Sequence, residues 1–177
     1  MAKTPPLLPA EILRRVLRVA QSGGTVVLAV SGLLAVFSAA SGDYLGAAVG
    51  VIVAGAGVFE LHGASLIRAG WPNGINWLVG SQLYLLVSIL SYCTLRLSHQ
   101  ELPELPAEVM PAIELSAQQF GLTAQAYLTM LYRFTFQLVA LLTLLYQGGM
   151  AIYYHRRRTA VTAALLEQGL AESEPVN

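Results

Sequence analysis

Residues 25–42 read TVVLAVSGLLAVFSAASG, eighteen positions without one charged side chain. An uncharged apolar run of about 18 residues or more is long enough to cross a bilayer as a helix. Residues 45–59 and 75–95 are equally free of charge. Over the 177-residue chain only 11% of side chains are charged, against about 25% in an ordinary soluble domain. A soluble fold is therefore excluded. Ten basic and ten acidic residues cancel, so no broad basic face exists for nucleic acid, and no nucleic-acid partner is expected.

Four segments carry the apolar content: residues 24–41, 44–67, 75–95 and 132–154. Each offers close to 20 residues, enough at the helical rise for a hydrocarbon core about 30 Å thick. Backbone amides in hydrocarbon must be satisfied within a helix or in a closed barrel. None of the segments alternates apolar and polar residues as a barrel strand does. The expected fold is an all-α integral membrane protein, a four-transmembrane-helix bundle forming one membrane domain over residues 1–177.

Lysine and arginine set its expected orientation. With the N-terminus inside, Lys3, Arg14, Arg15, Arg18, Arg68, Arg156, Arg157 and Arg158 are cytoplasmic. Arg96 and Arg133 are then left at the outer edge, a clear positive-inside bias. The expectation is a multi-pass protein of the bacterial inner (cytoplasmic) membrane with both termini cytoplasmic.

Ahead of the first span, residues 9–22 form an expected interfacial amphipathic helix. Ile12, Leu13, Val16, Leu17, Val19 and Ala20 fall on one arc, and Arg14, Arg15 and Arg18 on the other. Pro9 suits a first turn, and Gly23-Gly24 reads as the break before the span. These arginines can meet anionic lipid, as can Arg156, Arg157 and Arg158, which read as the stop of the fourth span. Ser38, Ala39 and Ala40 loosely imitate a leader cleavage site, but the basic region ahead of the apolar run is too long for one. The segment is expected to remain as a span. Residues 155–177 follow the last span as a cytoplasmic tail that starts as a helix.

Two connections are tight turns, Gly42-Asp43 and Trp71-Pro72-Asn73-Gly74. The long outer loop, residues 96–126, is expected to hold a short helix over residues 107–120. There Val109, Met110, Ile113, Ala117 and Phe120 recur near helical spacing, and Glu101, Glu104, Glu108 and Glu114 make that side acidic.

Glu60 is the charged residue that lies deep in a span, within Val58-Phe59-Glu60-Leu61-His62-Gly63. A carboxylate near a bilayer centre costs on the order of 2.5 kcal/mol or more, which makes it a functional-site candidate. Counted inward from the cytoplasmic ends, Ser31, Gln82 and Gln147 reach its level in the other spans. Facing inward, the four would form one polar layer. His62, two residues on, points to nearly the opposite face, so the pair is no metal site. Cys93 is the lone cysteine, and no metal-ligand spacing occurs. The same span carries Gly46, Gly50, Ala54, Gly57 and Ala64, a small-residue face of the kind that lets membrane helices approach closely.

No His-Glu-x-x-His, phosphate-binding glycine loop or nucleophile motif is present in the chain. The expectation is a non-catalytic protein with no cofactor and no metal, whose first partner is the lipid bilayer. It would act as a homo-oligomer, or as an accessory subunit of a membrane complex, packed through the small-residue face. The alternative is a small oligomeric ion, proton or solute channel or carrier that uses Glu60 and the polar layer. Four helices in one copy are too few for a roomy pore.

Overall fold

The computed structural model describes residues 8–99, 106 and 108–173. Lys3, Glu101, Glu104 and the tail residues 174–177 lie outside the described residues. Five helices account for most of the rest: α1 (Pro9–Ala40), α2 (Tyr44–Arg68), α3 (Gly74–His99), α4 (Met110–Gln119) and α5 (Ala124–Ser173). There is no strand among the described residues. Four helices, α1, α2, α3 and α5, are long and apolar enough to cross a membrane. The chain divides into two compact units, Met1–Ser88 with Tyr146–Asn177, and Ile89–Leu145.

In the first unit α1 runs unbroken for 32 residues, about 48 Å at the helical rise. Gly23 and Gly24, expected to break it, lie inside the helix. A glycine costs a helix about 1 kcal/mol relative to alanine, but here it permits a close crossing. A Cβ on Gly24 would come 3.1 Å from the Gly57 carbonyl oxygen, and one on Gly57 would come 2.7 Å from the Gly24 carbonyl oxygen. The crossing that two facing glycines allow outweighs the propensity they lose.

Continuity of α1 redirects its amphipathic face. Ile12, Leu13, Val16 and Ala20 are buried in a core with Ile67 of α2, Ile75 and Leu78 of α3, and Tyr154, Val161 and Ala164 of α5. Residues 9–22 are thus not a separate interfacial helix with an apolar arc free for lipid. The arc is occupied inside the protein, while Arg14, Arg15 and Arg18 stay exposed.

α5 runs on through its basic cluster, in keeping with a tail that starts as a helix. Its buried positions Gln147, Ala151, Tyr154, Val161 and Ala164 continue at three-, four- and seven-residue steps, one face of a single helix. No residue among Arg156, Arg157 and Arg158 breaks a helix, and the Arg157 guanidinium lies 5.7 Å from the Tyr153 ring centroid.

Turn chemistry fixes the short connections. Gly42 takes φ 80°, and the Asp43 carboxylate then caps α2 by accepting from the Gly46 N–H at 2.9 Å. Gly70, at φ 82°, ends α2 in the left-handed conformation, with the Trp71 N–H donating to the Leu66 carbonyl at 2.9 Å.

In the second unit, α4 is shorter than the expected 107–120, because Glu108 and Val109 form a turn before it. Gly121 at φ 65° follows its end. Tyr132 donates to the Arg96 carbonyl at 3.3 Å, and its ring lies 4.7 Å from Phe136. From Ala124 to Leu145 no residue of α5 is buried.

Candidate functional site

The buried positions of α2 are Ala56, Gly57, Glu60, Gly63, Ala64 and Ile67, one stripe at three- and four-residue steps. Glu60 belongs to that stripe, so its side chain enters the protein and is only 4% exposed. Tyr154 Oη donates to Glu60 Oε1 at 2.7 Å. The Tyr154 ring is held in the apolar core beneath it, which leaves the hydroxyl little freedom to point elsewhere. Gln82 of α3 lies beside the same carboxyl. From α1 comes Gly23, where a Cβ would sit 3.4 Å from Glu60 Oε1. Any larger side chain there would press on the carboxyl.

A cavity of about 90 Å³ joins these groups, with Ser22, Gly23, Glu60, Gln82, Tyr146 and Gln147 on its wall. Gln147 Oε1 is buried and has no hydrogen-bond partner. Among the described residues no lysine, arginine or histidine pairs with Glu60. The centre is a carboxyl with two neutral donors, Tyr154 and Gln82, and the unpartnered Gln147 oxygen shares its cavity, which is larger than one water needs. Such an arrangement suits binding of a proton or a cation.

Of the four residues expected in one layer, Glu60, Gln82 and Gln147 line this cavity and Ser31 does not. Ser31 is buried, but two turns farther along α1. The helix that carries Ser31 begins at Pro9 and not at Gly24. In the folded chain Gly23 faces Glu60 and Gly24 faces Gly57, so Ser22 and Gly23 are what α1 brings to that level. Tyr154 joins the centre from α5 as well. Its sequence signal is the spacing of seven residues from Gln147, two turns along one helix face.

The small-residue face of α2 packs within the chain. A Cβ on Gly50 would lie 2.8 Å from the Ala35 Cβ, and one on Gly46 would lie 3.0 Å from Ser38 Oγ. Ala64 is in the core and Ala54 is half-buried. With Gly57 against Gly24, the partner of this face is α1.

Two serines of α3 turn back on their own helix. Ser81 donates to the Leu78 carbonyl and Ser88 to that of Tyr84, each at 2.8 Å. His62 is exposed and meets the Trp77 ring edge-on at 5.0 Å. No group of three His, Cys, Asp or Glu side chains is placed to hold a metal ion among the described residues. No family model, curated protein or solved structure matches this chain.

Proposed function

We propose that the chain is a four-span integral membrane protein of the bacterial cytoplasmic membrane, with both termini on the cytoplasmic side. Its work is non-catalytic and is done at Glu60, which takes up a proton or a small cation within the membrane. The observation that carries this reading is the buried Glu60–Tyr154 bond beside a polar cavity, in a helix long and apolar enough to span. A carboxyl at such depth is expensive and is retained where it binds or relays charge. The cavity at Glu60 is small, about 90 Å³, so passage across the membrane would need several copies, as in an oligomeric channel or carrier. The arginines Arg14, Arg15, Arg18, Arg156, Arg157 and Arg158 suit anionic headgroups on the cytoplasmic leaflet.

Reconstitution into liposomes tests this. Wild-type chain is expected to carry protons or alkali cations down an imposed gradient. Glu60→Gln is expected to abolish that flux while leaving the oligomeric state unchanged. Equal flux in the two would end the reading.

A second reading, an accessory subunit or homo-oligomer, is favoured by α5. None of its residues from Ala124 to Tyr146 is buried, and Gln137 is exposed among Phe134, Leu138 and Leu141. An amide facing hydrocarbon gains about 0.6–2 kcal/mol from a partner on another membrane helix. Gln137→Leu is therefore expected to lower the assembled fraction several-fold, measured as particle mass in nanodiscs. An unchanged mass distribution would remove α5 as the assembly face.

A further inference from the structure

We propose that the cavity between Glu60 and Gln147 binds one monovalent alkali cation, held by the Glu60 carboxylate and the Gln147 side-chain oxygen, with water completing its shell. This rests on the reading of Glu60 as the working group and adds the identity of its ligand.

Two needs meet in one place. Glu60 accepts from Tyr154 Oη at 2.7 Å and from the Gln82 side chain, two neutral donors that orient a carboxylate without cancelling its charge. A buried charge without a counter-charge is strongly disfavoured. Gln147 is only 8% exposed, and its side-chain oxygen has no donor. A cation serves both oxygens at once. A proton on Glu60 would serve the amide only by direct contact.

Size and charge select the kind of cation. About 90 Å³ is well above the roughly 10–15 Å³ that one water needs, so an ion fits together with water. A single carboxylate balances a single positive charge. Calcium takes about six to eight oxygens, usually from several carboxylates. Neither imidazole nor thiolate lines the cavity, and those are the ligands that favour transition metals.

Calorimetric titration of the full chain in nanodiscs tests the proposal, using NaCl, KCl and LiCl with choline chloride holding ionic strength constant. Saturable binding of one alkali cation per chain is expected. Glu60→Gln should abolish it. Gln147→Met, which keeps the bulk and removes the oxygen, should raise Kd about tenfold or more, as the loss of one contact to a charge does. If no alkali cation binds while Glu60→Gln still abolishes proton flux, the cation is overturned and the Glu60 reading stands. If flux is also unchanged in Glu60→Gln, both fall. Should Glu60→Gln lose its helical circular dichroism, Gln147→Met decides, and an unchanged Kd overturns the proposal.

Discussion

Gly57→Leu is expected to separate α1 from α2 and to collapse the Glu60 centre with them. Even the first carbon of a side chain at Gly57 would lie 2.7 Å from both the Gly24 carbonyl oxygen and the Leu28 amide nitrogen. Both are backbone atoms of a helix, so no rotamer change relieves the clash, and α1 must move bodily. Overpacking a core costs about 1–3 kcal/mol even where side chains can adjust, so the loss here should reach at least the top of that range. Gly23 adjoins Gly24 and forms the wall at Glu60, so a displaced α1 opens the cavity as well. Titration with dodecyl sulfate, followed by helical circular dichroism, should show early unfolding of Gly57→Leu. Gly32→Leu is the control, because nothing lies within 4 Å of a Cβ there. Equal behaviour of the two variants would mean that the α1–α2 crossing does not hold the structure together.

Charge-free runs made the four apolar helices legible, because charge in hydrocarbon is costly enough to leave an unmistakable gap in the sequence. The carboxyl centre was legible in part for the same reason. Glu60 stood out as a lone acid, and Gln82 and Gln147 followed from helical rise alone. What depth counting could not supply was register. Ser31 is level with Glu60 only if the helix begins where hydrophobicity begins, whereas α1 starts fifteen residues earlier, at Pro9. The Gly23-Gly24 pair carries opposite meanings in an isolated helix and in a crossing, and only the neighbour on α2 decides between them. The small-residue face of α2 was visible as a packing surface. Its partner was not, because a glycine face fits a helix of the same chain as well as one from another copy. From sequence Tyr154 reads as an interface anchor, as an aromatic residue near a span end does, and its hydroxyl's partner is set only by the fold.

Val16→Asp should have the other large effect, and it separates two accounts of the N-terminal segment. Val16 and Val161 are both fully buried, in one core with Tyr154. A carboxylate placed there has no cationic partner inside the cluster, and an uncompensated buried charge costs about 3–5 kcal/mol. Arg15→Asp, one residue away on the exposed face, should change stability by no more than about 0.5 kcal/mol. Hydrogen exchange then discriminates between the accounts. If residues 9–22 lay on the membrane surface, Val16→Asp would loosen that segment alone and leave α5 as it was. Packed as a core, the segment and the Val161–Ala164 turn of α5 must lose protection together, since each buries the other. The same substitution reaches the Glu60 centre, because the core that holds Val16 also holds the Tyr154 ring and so aims its hydroxyl at Glu60. Flux in liposomes is therefore expected to fall in Val16→Asp and to persist in Arg15→Asp. Loss of protection confined to residues 9–22, with flux intact, would overturn the shared core.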